Sequence, residues 1–136
     1  MVERLVIALG LVGLGLAAHY GFQWQTLRRA RQQGRVDPLL AGFMPGNLAI
    51  VYFTSENCGA CKLQQEPVLA QLQKVVSPDR LQIIQVDADL QRYDAERWGV
   101  MSLPTTFILD REGKPAAVNY GVASVQKLRQ QLETLH

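Results

Sequence analysis

The stretch LVIALGLVGLGLAAHYGFQW, residues 5–24, sets the first limit on how this chain folds. It holds no acidic or basic side chain apart from His19. As a helix, its twenty residues rise about 30 Å, the thickness of a bilayer core. Gly10, Gly13, Gly15 and Gly21 are tolerable in a membrane helix, and Tyr20, Phe22 and Trp24 cluster at its end as an interfacial aromatic belt would. Arg28, Arg29, Arg31 and Arg35 follow. Residues 1–35 therefore read as a single-pass anchor with a basic flank, His19 being an interfacial residue. The alternative is a cleaved signal peptide, with Arg4 as its charged start, residues 5–16 as its apolar region and Gly15-Leu16-Ala17 as its cleavage site. Two features favour the anchor: the apolar run continues past that site, and arginines just after it would hinder export. With one Lys/Arg before the span and four after it, the positive-inside rule puts the rest of the chain in the cytoplasm. An extracytoplasmic domain is the alternative.

The anchor also explains the charge balance. Of the 136 residues, the first 35 carry five Arg and one Glu, whereas residues 36–136 carry nine Lys/Arg and eleven Asp/Glu. The formal net charge of +2 is thus an N-terminal property, and the remainder has no basic footprint for nucleic acid. That remainder is long enough for one domain of ordinary size. Its two cysteines are too few for a secreted disulfide framework.

VDPLLAGFMPGN, residues 36–47, has two prolines and two glycines, and residues 36–46 read as a linker or irregular lead-in. Residues 47–54, 81–86, 105–110 and 115–120 are short runs rich in β-formers, expected to be strands. Between the first two, Leu63, Val68, Leu69, Leu72, Val75 and Val76 mark a helical stripe over residues 58–76, ended by SPDR at 77–80. Residues 88–99 predict a polar helix stopped by Gly99, and REGK at 111–114 predicts a hairpin turn. Ser124 predicts an N-cap, with Val125, Leu128, Leu132 and Leu135 on one face of a last helix. The order β-α-β-α-β-β-α, with a right-handed first crossover and a final hairpin, predicts a mixed four-stranded sheet with helices on both faces. This α/β domain spans residues 47–136.

Both cysteines lie in TSENCGACKLQQEP, residues 54–67. Cys58 lies just past the first strand and opens the first helix of the domain. First-turn amides are unpaired and the helix dipole is positive there, which stabilises a thiolate. Cys61 is one turn further on, within reach of a disulfide back to Cys58. The first thiol, Cys58, is then the nucleophile that attacks a disulfide, and Cys61 resolves the mixed disulfide. Asn57 is a candidate helix cap. A metal site would need two more ligands, and the only histidines are His19 and the last residue, His136. Two thiols close by accident would be plausible inside a helix, but less so at a strand-to-helix junction. No metal and no cofactor beyond the Cys58/Cys61 pair are expected.

With these elements in order, residues 47–136 resemble the thioredoxin superfamily, whose active site is a C-x-x-C at the start of the first helix of this fold. SLPTT, residues 102–106, resembles the family's cis-proline loop. The resemblance implies that Pro104 is cis and faces the cysteines, and that the backbone of Leu103 is free to pair with an extended substrate. REGK followed by NYGVASVQKL resembles the last hairpin, with Gly121 at the turn into the final helix. Pro67 resembles the proline that kinks the active-site helix, but lies six residues after Cys61 instead of the commoner five. Other departures concern chemistry. The middle dipeptide is Gly59-Ala60, not Gly-Pro; these two residues are counted with Leu103 and Pro104 as substrate-contacting. Asn57 replaces a frequent aromatic, and Tyr52 replaces a frequent buried Asp that takes the proton of the second thiol. Glu56 is the nearest acid in sequence and reads as a solvated loop residue. Asp87, Tyr93 and Trp98 read as a strand-end cap and packing residues.

The expectation is a membrane-tethered thiol–disulfide oxidoreductase, monomeric, acting on protein thiols and disulfides. Its neighbours would be the lipid bilayer and an upstream reductant or membrane redox partner. Two alternatives remain: a non-enzymatic module gripping clients through the Pro104 loop, and a chaperone for a soft cation such as Cu(I). Intact Cys58 and Cys61 argue against the first, and the lack of a nearby Met or His ligand against the second.

Overall fold

A computed structural model describes residues 1–32, 37–76 and 79–135, with the backbone alone at 29–32. The expected basic flank beyond Arg28, the Ser77-Pro78 helix stop and His136 therefore lie outside the described side chains. The elements are α1 (Val2–Gln32), β1 (Leu48–Thr54), a helix whose regular part is α2 (Glu66–Val75), β2 (Leu81–Asp87), α3 (Arg92–Arg97), β3 (Thr105–Leu109), β4 (Pro115–Tyr120) and α4 (Val125–Glu133).

The sheet has the order β2-β1-β3-β4. β1 runs parallel to β2 and antiparallel to β3, and β3 is antiparallel to β4. All seven residues of β1 are buried, as a central strand covered on both faces requires. Alternation along it divides the core. Ala49, Val51 and Phe53 face a cluster with Phe107, Leu109, Ala95 and Trp98. Leu48, Ile50 and Tyr52 face another with Leu69, Leu72, Leu128 and Leu132 from α2 and α4. In the first cluster the rings of Phe53, Phe107 and Trp98 meet edge-on or tilted, with centroids 5.0–6.0 Å apart.

Several local expectations change. The helical stripe of residues 58–76 is narrower than its pattern: Leu63 is 79% exposed and Val75 49%. The polar helix begins at Arg92, not 88, because the Asp87 carboxylate accepts the amides of Asp89 and Leu90 and holds those residues in a turn. Tyr93 is exposed instead of packed, with the Arg97 guanidinium 6.0 Å from its ring centroid. Trp98 is fully buried. The lead-in before β1 is tied down: Asp37 is buried, caps the turn Pro38–Leu40 and pairs with Arg97, while Leu39 enters the core.

Ser124 Oγ accepts the Lys127 amide at 3.2 Å, capping α4. Ser124→Ala is expected to lower unfolding stability by about 1 kcal/mol, with Ser124→Gly closer to wild type. Urea melts of the three proteins check this; equal midpoints for Ser and Ala would show that the cap contributes nothing.

Candidate functional site

The site grows out of the end of β1. Ser55, buried, shapes the loop: its hydroxyl accepts the Asn57 amide and its carbonyl accepts the Cys58 amide, each at 3.2 Å. Cys58 follows at the helix start. Its Sγ accepts the backbone N–H of Cys61 at 3.1 Å, so the sulfur occupies the place of an N-cap oxygen. The cap expected of Asn57 is thus supplied by Cys58 itself. Cys58 and Cys61 are disulfide-bonded, their Cα atoms 5.3 Å apart. Cys58 is half-buried and Cys61 is wholly buried. Between them Gly59 is exposed, with no atom within 4 Å of the space a Cβ would take, and Ala60 is half-buried.

The Leu103–Pro104 peptide is cis. Thr105 Oγ1 donates to the Ser102 carbonyl at 2.7 Å, and the Pro104 carbonyl accepts the Gly121 amide at 2.8 Å, which fixes this loop on both sides. Leu103 packs against the core cluster that contains Cys61 and is flanked by Cys58, so the loop and the cysteine pair share one neighbourhood. Among the described residues the Leu103 backbone makes no hydrogen bond. No group of three or more His, Cys, Asp or Glu there is placed to hold a metal ion.

The helix carrying the pair has an irregularity that spacing alone did not disclose. Residues 61–65 form a π turn, closed by the Glu66 amide donating to the Cys61 carbonyl five residues back. A π turn takes one more residue than an α turn. It thereby absorbs the extra residue between Cys61 and Pro67, and α2 continues with Leu69 and Leu72 facing the core. Gln65, in this turn, was missed from the sequence. It is completely buried, its Nε2 donating to the Ala123 carbonyl at 3.2 Å and its Oε1 accepting the Ala123 amide at 2.8 Å. It pins the cysteine-bearing turn to the loop after β4. A signal existed: Gln65 falls on the buried line of Cys61, Leu69 and Leu72, where a polar side chain must find a partner.

Tyr52 is buried beneath the helix, its hydroxyl donating to Thr54 Oγ1 at 3.2 Å. Burial pushes its phenol above the ordinary value; the Thr54 bond offsets this and the nearby Glu66 charge adds to it. Glu66, lining a small cleft with Tyr52, is therefore the acid beside this position in space, whereas Glu56 is exposed on its loop. In the resolving role expected of it from the sequence, buried Cys61 must lose its proton, and a phenol is a poor acceptor near neutrality. Tyr52→Asp is expected to speed the resolving step at pH 7 by about tenfold. The same change lowers stability by roughly 3 kcal/mol, because it puts an acid on the central strand. Single-turnover reduction of a small disulfide over a pH series reads the first effect. An unchanged rate in folded protein would mean another group already takes the proton, and Glu66→Gln would then be the next variant.

A thioredoxin family model matches residues 44–134. The thioredoxin of Bacillus subtilis (strain 168) is 33% identical over 73 residues, covering 54% of this chain and 67% of that protein. Among solved structures, thioredoxin-2 of the malaria parasite superposes with a TM-score of 0.61 at 26% identity, covering 67% of this chain and 85% of the other. Fasciola hepatica thioredoxin does so with a TM-score of 0.58 at 26% identity, covering 68% and 84%.

Proposed function

The chain belongs to the thioredoxin family, and from that premise we propose a thiol–disulfide oxidoreductase held at a membrane by residues 1–35 and acting through residues 47–136. Thiol–disulfide exchange is the family's activity, and it needs no cofactor beyond the cysteine pair. The observation that carries the reading is the half-buried Cys58 sulfur at the helix start, 3.1 Å from an amide that stabilises its thiolate. The Cys58 thiolate attacks one sulfur of a protein disulfide, forming a mixed disulfide and releasing the other sulfur as a thiolate that takes a proton. Deprotonated Cys61 then attacks Cys58 Sγ. The second client thiolate leaves, and the Cys58–Cys61 disulfide closes. The client is reduced by two electrons and the protein oxidised by two; an upstream dithiol or membrane redox partner restores the pair. Gly59 and Ala60 leave the approach to Cys58 open, and the unpaired Leu103 backbone beside cis-Pro104 suits an extended client segment. The closed disulfide favours exchange over a purely binding role or a soft-cation carrier. A disulfide-reduction assay on the full chain in detergent, with no bilayer over the domain, tests the activity; no turnover with a competent dithiol donor would exclude it.

The tether rests on α1, whose residues 2–28 are long and apolar enough to cross a bilayer, the mean hydropathy of its most apolar 18-residue window being 1.9. A signal sequence has the same property, and sidedness follows only from the arginine excess after the span. The intact mass of membrane-extracted protein is expected to include residues 1–17, and an impermeant thiol reagent is expected to label reduced Cys58 only after permeabilisation. A mature chain starting near Ala18 would replace the anchor with a signal peptide, and labelling of intact cells would reverse the orientation.

A further inference from the structure

The strand register places one end of the sheet. Thr54 pairs with Asp87, Phe53 with Thr105, and Thr105 with Tyr120, so these residues form one terminal row. Cys58 follows Thr54, Leu90 and Tyr93 follow Asp87, Met101 and Pro104 precede Thr105, and Val122 follows Tyr120. Cys58 and the Pro104 loop lie beyond that row. The loops that leave it also carry Leu90, Met101 and Val122, three of the seven large apolar side chains that residues 37–135 leave exposed; the others are Met44, Leu63, Val75 and Tyr93.

The last turns of α1 are docked at the same end. Phe22 lies against Tyr120, ring centroids 5.9 Å apart. Thr26 is buried, with its Cγ2 3.2 Å from the space a Cβ would take on Gly99, a residue at φ +76°. Any side chain at Gly99 would therefore be strained and would press on α1. Burial against α1 pushes the Tyr120 phenol up, and its hydroxyl meets Thr26 short of good hydrogen-bond geometry. Leu27 packs against the core cluster on the α3 side. From Leu27 in the core back to Phe22 at the rim, the helix heads out past the active-site end, and residues 1–22 are exposed. Phe22 lies within the apolar run itself, and Thr26 is only two residues beyond it. The docking thus holds the sheet's terminal row within about one helical turn, roughly 5 Å, of the membrane interface.

We propose that the bilayer surface covers the active-site end of the domain, so that the cysteine pair serves thiols and disulfides held at headgroup depth. This rests on α1 being a membrane span. The occupant is lipid because the element leaving the domain here is itself a span-length apolar helix; the rim around it exposes Leu90, Met101 and Val122 beside Glu56, Asp89 and Arg92, the mixed character of a surface that faces headgroups. Freely diffusing clients would be screened from Cys58, whereas a membrane protein with a cysteine near the interface would meet it directly.

The full chain reconstituted in phosphatidylcholine vesicles, with nitroxide on the upper acyl chain, tests this. With the native disulfide closed, one added thiol at a time takes a fluorophore, as Met101→Cys at the active-site end or as Glu112→Cys in the hairpin at the other end. The Met101 probe is expected to be quenched several-fold more than the Glu112 probe. Thr26→Glu, and separately Phe22→Ala, should undock α1 and bring the two probes to similar quenching. Protein that resists alkaline extraction yet quenches both probes equally, or neither, overturns the proposal and leaves the rim to a protein partner. Selective quenching that survives in both undocking variants overturns the docked helix as its cause. Protein lost on extraction removes the membrane span, and this inference with it.

Discussion

Cys61→Ser protein is expected to accumulate as mixed disulfides with its clients, at least about tenfold more than Cys58→Ser protein, while disulfide turnover falls about a thousandfold in both. The asymmetry follows from access and electrostatics. Cys58 is half-buried at the helix start with an amide 3.1 Å from its sulfur; Cys61 has no exposed surface. A client disulfide can reach the first and not the second. Without Cys61 the intermediate has no internal exit, so it persists until an external thiol arrives. Non-reducing gels of membrane extracts, followed by mass spectrometry of the trapped species, read the result. Equal trapping by the two variants would reverse or abolish the assignment.

Asp37→Ala is expected to cost about 3 kcal/mol of stability. The Asp37 carboxylate is fully buried and serves three donors: the Arg97 guanidinium, with Nη2 at 2.8 Å, the Trp98 indole N–H at 2.7 Å and the Leu39 amide at 3.0 Å. Removing it takes the acceptor from the buried indole N–H and one carboxylate from Arg97, which still pairs with Asp94. Burial alone would raise the Asp37 value, but the bonds from Arg97, Leu39 and Trp98 and the Arg97 charge outweigh it, and the net shift is downward. A depressed folded value means the stabilisation is fully present above the ordinary aspartate value of about 4, and fades as pH falls through the lower folded value. Urea melts between pH 7 and pH 2 should show wild type losing its advantage over Asp37→Ala at the acid end. A constant gap across that range would remove Asp37 from the titration.

Much of the domain was legible locally. A β-strand buried on both faces must read as a short apolar run, which is why β1 was visible in NLAIVYFT. Ser124 caps through a bond three residues away, and Asp87 and Gly99 act on their immediate neighbours. The errors share one cause. Periodicity reports which residues share a face, not whether another element covers that face. Leu63 and Val75 fit the stripe, yet α4 and the sheet do not reach them. Tyr93 fits a packing residue by sequence, but the turn held by Asp87 starts α3 late and Tyr93 is exposed. Glu56, the nearest acid along the chain, is exposed as a solvated loop residue should be, while the helix brings Glu66 to Tyr52, a proximity that spacing does not show.

By itself, then, the sequence determined what short-range forces determine: the strands, the cysteine pair at a helix start, the final cap, and an apolar segment of membrane length. Only the tertiary structure decided the pairings that close over long loops. Asp37 meets Arg97 and Trp98 across 60 and 61 residues, and Gln65 meets Ala123 across 58. α1 docks on Tyr120 and Gly99, far along the chain. A polar side chain carries no label for a distant partner. Which donor it finds depends on which elements the sheet order makes neighbours, and here the order β2-β1-β3-β4 gathers the cysteines, the Pro104 loop and the base of α1 at one end of the sheet.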